Sequence, residues 1–226
     1  MREIIIDLLG NETYEILKKN KCIIAGGALR SIFNNTEIND LDVYFQNKKY
    51  FNVVKDYFYK KYIDNFDYSS NSSLTFTIKN KQVQLLRPYF GKPDKIIAHF
   101  DFNVVKAFFN ISNNKYYYSK EFIEGNKKML IKFNKLYKHH FSCFHRILKY
   151  KNKYEYKFDK SFLKILKQKI SNINKFNNID DIKIFINGED YKTFDLMLEM
   201  FSMSYNDFTK DKFIENIKNF LGKIND

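Results

Sequence analysis

The chain of 226 residues has no tryptophan, two cysteines, two prolines and seven glycines. With only Cys22 and Cys143 there is no disulfide framework, and a reducing cytoplasm is the expected compartment, the host's if the gene is viral. No apolar run approaches the ~20 residues that a helix needs to cross a bilayer, so no membrane association is expected. The opening Met1-Arg2-Glu3-Ile4-Ile5-Ile6-Asp7 is too short and too soon acidic for a secretory signal. Gly-x-x-x-x-Gly-Lys-Ser/Thr and Gly-x-Gly-x-x-Gly are both missing, which removes the P-loop and dinucleotide-binding readings. Heptads, repeats and Pro/Gly/Ser linkers are missing too, so any domain boundary is soft.

Arginine is scarce as well: Arg2, Arg30, Arg87 and Arg146 are the only four among 39 basic residues. The net charge of +13 suits a polyanionic partner, because clustered cations replace the counterions condensed on nucleic acid. It also suits an AT-rich genome, which writes Lys, Asn, Ile, Tyr and Phe into every product and points to a virus, phage or low-GC bacterium. That bias does not account for Arg30 and Arg87, which lie close to the candidate site.

Hydrophobic periodicity predicts one helix over 2–19, a short buried strand over 22–25, the first turns of a helix over 28–33, a strand over 41–46 and a helix over 48–62. Alternation over 74–79 and 82–87, joined by Asn80-Lys81, predicts a β-hairpin. Pro88 and Pro93 bracket a loop, 94–99 suits a short helix, and the apolar stretch 100–109 reads as a strand headed by Asp101. Two short strands are expected at 115–118 and 128–133, then helices over 136–150, 159–173, 190–203 and 207–221. The fold class expected is α+β, a small mixed sheet with helices packed on it, with residues 1–133 as one domain and 134–226 as a helical one.

The chemistry concentrates between residues 25 and 43. Gly26-Gly27 closes the first strand, and twelve residues later Asp40-Leu41-Asp42-Val43 occupies the second. Residues i and i+2 of a strand point the same way, so Asp40 and Asp42 share one face while Leu41 and Val43 turn to the core. Two carboxylates side by side repel and call for a cation. Mg²⁺ (or Mn²⁺), held by carboxylates and substrate phosphates, answers that need, and a pair of such ions activates an attacking hydroxyl and steadies a leaving pyrophosphate. Gly26 and Gly27, without side chains, let backbone approach a triphosphate, with the N–H groups of the following helix behind them. Arg30 and Ser31 lie one turn further on, where Arg30 reaches a phosphate or pairs with Asp40.

Ala25-Gly26-Gly27, the twelve-residue gap and Asp40-Leu41-Asp42-Val43 together resemble the signature of the DNA polymerase β-like nucleotidyltransferase superfamily. Gly26-Gly27-Ala28-Leu29-Arg30-Ser31 resembles the Gly-Gly-x-x-Arg-Asp of CCA-adding enzymes and bacterial poly(A) polymerases, and Asp101-Phe102-Asn103-Val104-Val105-Lys106-Ala107 resembles their Asp-Phe-Thr-Ile-Asn-Ala. The likeness spans about residues 20–110. It implies transfer of a nucleoside monophosphate from an NTP (ATP or CTP) to an acceptor hydroxyl, with an RNA 3′ end as acceptor. It also implies a third carboxylate: Gln84 stands where that acid belongs, and Asp101 is the substitute. Transfer to a protein or small molecule, or binding without turnover, are the alternatives.

Two further groups stand out. His139, His140, Cys143 and His145 are close in sequence; His139 and Cys143 share a helical face, but His145 does not join them cleanly as a zinc site requires. Tyr116-Tyr117-Tyr118, flanked by Lys115 and Lys120, suits base stacking or, more simply, a lysine-protected edge strand.

Overall fold

The computed structural model describes residues 1–70, 72–87, 89–134, 141–187 and 193–225. Pro88, His139 and His140, named above, lie outside the described residues. The chain divides into two compact units, Met1–Asn126 and Lys127–Asp226.

The first unit is built on a seven-stranded sheet in the order β3-β4-β5-β2-β1-β6-β7. Its strands are β1 (Ile23–Ala25), β2 (Asp40–Tyr44), β3 (Phe66–Ser69), β4 (Ser73–Ile78), β5 (Lys81–Leu86), β6 (Ala107–Asn110) and β7 (Lys115–Tyr118). Only β2 and β5 run parallel; every other pairing in the sheet is antiparallel. This is the mixed sheet of an α+β fold. A parallel neighbour needs a long crossover, and here α4 (Lys48–Tyr62) and the strands β3 and β4 provide it. Asn47 starts α4 by accepting the Tyr50 amide on its side-chain oxygen at 3.0 Å.

Alternation sorts the sheet into two faces. Leu41, Val43, Phe76, Val83, Leu85 and Phe109 point to one, where α1 (Arg2–Leu9), α2 (Asn11–Lys19), α3 (Gly27–Phe33) and α4 cover them in the main core. Ile23, Ala25, Tyr44 and Phe108 point to the other and pack under α5 (Pro93–Ala98), against Ile96 and Ile97, with Leu86 and Phe100 at the margin. Slipping β2 by one residue would expose Leu41 and Val43 and drive two carboxylates into the main core. Losing the two apolar side chains alone costs about 1.5–3 kcal/mol each, so the register is strongly held.

Several local expectations are corrected. The single helix over 2–19 is two, because Gly10 takes φ +82° between α1 and α2, a conformation that its missing Cβ makes inexpensive. The hairpin turns at Lys79-Asn80, both at positive φ as a two-residue type I′ turn requires, and not at Asn80-Lys81. The stretch 100–109 is a strand only from Ala107. Asp101 accepts the Phe102 amide at 2.9 Å, and residues Asn103–Val105 form a 3₁₀ turn. The overlooked helix α6 (Lys120–Lys127) secures that turn, with Asn126 Nδ2 donating to Val104 O at 3.1 Å. The overlooked strand β3 carries a register shift between Phe66 and Tyr68 that interrupts its alternation.

The second unit opens with β8 (Leu130–Ile131), which pairs in parallel with β9 (Lys157–Phe158) and not with β7. Its helices are α7 (Phe144–Leu148), α8 (Lys160–Ile173), α9 (Ile179–Asn187), α10 (Thr193–Met200) and α11 (Lys210–Asn225). Phe144, Leu166, Phe194, Phe213 and Ile217 are among its buried side chains. Sequence periodicity located α8, α10 and α11 and missed α9. Cys22 and Cys143 are free and buried, and burial pushes the Cys22 thiol up. Among the described residues, no helix is long and apolar enough to cross a membrane.

Two stability tests follow from these contacts. A Cβ at Gly125 would sit 2.1 Å from Asn103 Nδ2 and 3.0 Å from Val104 Cγ1. Gly125→Ala should therefore lower unfolding stability by about 1–3 kcal/mol in urea titrations, an overpacking penalty. In the second unit Asp159 caps α8 by accepting the Ser161 amide at 2.9 Å, and the Ser161 hydroxyl and amide hold its carboxyl below the usual range. Asp159→Ala should cost about 1 kcal/mol at neutral pH. With a depressed folded-state pKa, that contribution is present above the ordinary aspartate range and fades as pH falls through the lowered value. The wild-type and mutant stability curves should converge in acid.

Candidate active site

β1 ends at Ala25, directly opposite Asp42 in the antiparallel β1–β2 register. The chain then turns through Gly26 at φ +85°, ψ −133°, a region close to glycine-only backbone. Two backbone bonds fix the turn: Gly26 N–H donates to Ala107 O at 3.2 Å, and Gly26 O accepts from Leu29 N at 3.1 Å. Because β1 and β2 run in opposite directions, the glycines advance along β2 from Asp42 toward Asp40. A Cβ built on Gly26 would lie 3.6 Å from Asp42 Oδ2, and one on Gly27 would lie 3.7 Å from Asp40 Oδ1. The side-chain-free space beside each glycine thus opens onto one acid, Gly26 toward Asp42 and Gly27 toward Asp40.

Both carboxylates are half-buried, and Leu41 and Val43 between and beyond them are buried on the opposite face. On the far side of β2 the parallel register pairs Asp40 with Gln82 and Asp42 with Gln84. The side-chain amides of Gln84 and Gln82 are in contact, Nε2 to Oε1 at 3.5 Å. Phe100 closes the site on the β1 side. Its ring packs on Tyr44 at 5.6 Å between centroids, and its Cε2 lies 3.7 Å from the Gly26 Cβ position. Sequence reasoning overlooked Phe100, and nothing in an apolar run marks one aromatic as the one that meets a glycine.

The other expected residues are placed as follows. Arg30 and Ser31 are buried in α3, where Arg30 Nη2 donates to Ser31 Oγ at 3.1 Å. Asp101 is buried ahead of the 3₁₀ turn, with its Oδ1 engaged by the Phe102 amide. Among the described residues, no three His, Cys, Asp or Glu side chains gather around a common metal position, so Asp101 is not joined to Asp40 and Asp42 in such a group. Cys143 Sγ accepts from Arg146 Nη2 at 3.6 Å. Tyr116 and Tyr117 are exposed on the edge strand β7, and Tyr117 stacks on Phe108 at 4.7 Å.

Residues 2–129, essentially the first unit, match the Gabija anti-defense 2 family. A curated relative, Gabija anti-defense 2 of Bacillus phage SPbetaL7, is 32% identical over 127 residues, which are 56% of this chain and 32% of the phage protein. Similar solved structures include a tRNA-processing enzyme in apo form I, with TM-score 0.59 and 14% identity over 98% of this chain and 57% of its own. The Thermotoga maritima CCA-adding enzyme complexed with tRNA(CCA) matches at TM-score 0.58 and 12% identity over 94% and 50%. A CCA-adding enzyme complexed with ATP matches at 0.59 and 11% over 92% and 50%. The chain therefore spans about a third of the phage relative and between 50% and 57% of these enzymes. At such identities the likeness is one of fold, and the fold is that of the nucleotidyltransferases.

The two glycines should respond differently to a methyl group. Gly26→Ala places a Cβ on strained backbone and should destabilise by about 1–3 kcal/mol. Gly27→Ala meets Asp40 Oδ1 only at ordinary contact distance, 3.7 Å, so its melting temperature should stay near wild type. A roughly tenfold or greater loss of NTP affinity in Gly27→Ala without loss of stability, read by isothermal titration, would place a phosphate beside this glycine.

Proposed function

This chain belongs to the Gabija anti-defense 2 family, and we propose that it is a metal-dependent nucleotidyltransferase working in the host cytoplasm against the defence named in that family. The observation that carries the reading is that the space where Gly26 and Gly27 lack a Cβ opens onto Asp42 and Asp40 respectively, setting a side-chain-free backbone beside two carboxylates on one strand face. Backbone clearance for phosphates and an anionic pair for cations are the two needs of an NTP-Mg²⁺ complex, and here they adjoin.

The residues present fit Mg²⁺, since one or two carboxylates plus substrate phosphates is its usual protein environment. Asp40 and Asp42 would hold it (two ions, or Mn²⁺), and the bound metal would supply charge neutralisation on the phosphates. Gly26 and Gly27 admit the triphosphate of ATP or CTP. Arg30, braced on Ser31, lends a fixed positive charge from α3. Asp101 acts as a positioning residue, tying down the turn after Phe100 so that this ring stays beside Gly26. The acceptor hydroxyl oxygen bonds to the α-phosphorus, the bond to pyrophosphate breaks, and the hydroxyl proton passes to the carboxylate pair.

An RNA 3′ end is the acceptor favoured by the fold shared with CCA-adding enzymes and by the net charge of +13. A second reading, transfer to a protein or small molecule of the defence machinery, is favoured by the family match. Incubation with α-labelled ATP or CTP, Mg²⁺, total RNA and a lysate containing the Gabija proteins separates them, with label on RNA for the first and on protein for the second. Asp40→Asn and Asp42→Asn should each reduce transfer roughly 100-fold or more while leaving the fold intact. Labelling that persists in the double variant would remove these residues from the chemistry.

A further inference from the structure

The registers of the sheet line up one side chain from every strand: Tyr68, Thr75, Gln84, Asp42, Ala25, Phe108 and Tyr117, in spatial order. All seven belong to the face that carries the acidic pair. The two halves of this row differ in kind. From Ala25 to Phe108 it is apolar and packed with α5 residues Ile96 and Ile97. From Asp42 outward it is polar throughout, and no residue of that half belongs to the apolar cluster under α5. Gln84 is half-buried and Tyr68 is 49% exposed.

A solvated sheet face needs no explanation, but Thr75 does not fit one. It is 0% exposed, and its Oγ1 has no hydrogen-bond partner. A buried hydroxyl that has lost water and gained nothing is uncommon. Its direct cross-strand neighbour is Tyr68. Side chains so paired have Cβ atoms about 5 Å apart, so the orphaned hydroxyl adjoins an exposed aromatic side chain.

Charge orients the surface. On one flank, in the row of Asp40, Gln82 and Thr77, the Thr77 hydroxyl donates to Asp67 Oδ2 at 2.5 Å, so an acid stands at each end. On the other flank Arg87 Nη2 donates to Ser69 Oγ at 3.1 Å, placing a guanidinium across the ends of β5 and β3. Anions are admitted on the Arg87 side and repelled on the Asp67 side. Between the flanks, the Gln84 amide and Thr75 hydroxyl both donate and accept, as base edges require, and Tyr68 offers a stacking surface.

We infer that the polar half of this face, from Asp42 over Gln84 and Thr75 to Tyr68, is a track for the last nucleotides of a single-stranded RNA acceptor. Its phosphates run on the Arg87 side, and its terminal hydroxyl arrives at the carboxylates. Three strand steps of about 4.8 Å make the track roughly 14 Å long. At ~3.4 Å per stacked residue it holds no more than about four nucleotides. The inference rests on the transferase reading only for the direction of the strand. Binding itself is a separate property.

Fluorescence anisotropy of a labelled single-stranded RNA hexamer with the full chain, without NTP, tests it. Tyr68→Ala should weaken binding roughly tenfold, as loss of one base–aromatic stack does, and Tyr68→Phe should restore it. Gln84→Ala should weaken binding, and Arg87→Ala should lower the slope of log affinity against log salt by about one. Tyr117→Ala, at the other end of the same row, should change nothing, and a duplex of the same sequence should bind less well. Equal effects of Tyr68→Ala and Tyr117→Ala in folded proteins would overturn the track. So would no binding of the hexamer, or Tyr68→Ala and Gln84→Ala impairing label transfer to protein but not to RNA. If the variants lose hexamer binding while no acceptor is ever labelled, the track stands and the transferase reading falls.

Discussion

The antiparallel pairing of β1 with β2, in the register that sets Ala25 against Asp42, is the constraint on which the site depends. It decides which acid meets which glycine. It is held from the opposite face, where Ile24, Leu41 and Val43 are buried in the main core. Site and core are therefore the two sides of one alternation: the forces that bury Leu41 and Val43 are those that present Asp40 and Asp42. Gly26 adds the second element, since the chain leaves β1 there at φ +85°, a backbone conformation that an ordinary residue would adopt only under strain.

The sheet face that carries the acids is half covered. α5 lies over Ile23, Ala25, Tyr44 and Phe108, and beyond β2 the apolar cluster reaches only Leu86, at the end of β5. Asp42 thus stands at a boundary between a packed half and a hydrophilic half. Apolar cover on one side lowers the local dielectric and strengthens electrostatic contacts, while the polar side leaves an approach for something large. Tyr44 shows how sharp the boundary is: two residues beyond Asp42 on the same strand and face, it is buried against Phe100.

Legibility in the sequence followed the range of the interactions. The Gly-Gly turn, the Asp-x-Asp strand, α4 and the β4–β5 hairpin were readable because each is set by residues within a few positions of one another. The break at Gly10 was missed because a lone glycine in a helical pattern is often tolerated, and only its positive φ distinguishes a corner from a passenger. The run 100–109 misled because its apolar residues are buried by α6 and α5 from different directions, as a 3₁₀ turn followed by a strand permits. Buried Asp101 and Asn103 were the signals that a continuous strand was wrong, since Asp101 takes a local partner in the Phe102 amide and Asn103 reaches Glu121 O on α6. That Gln84 stands beside Asp42 follows from a parallel pairing across a long crossover, which no local pattern announces; only the family resemblance pointed to that position.

Gln84 bears on how the site works. A third carboxylate in its place, roughly 5 Å from Asp42, would add about 3 kcal/mol of repulsion at an effective dielectric of ~20. Three clustered acids need a resident cation to be tolerable; two do not, provided that the cation arrives with its phosphates. A neutral amide at this position therefore suits a site assembled by its substrate, and it removes the charge that would most oppose a phosphate backbone crossing β5. The same substitution that weakens a fixed metal site keeps open the side of the sheet that α5 leaves bare. In the proposed transferase, Gln84 would lower the negative charge beside Asp42 on the side from which the acceptor would cross β5.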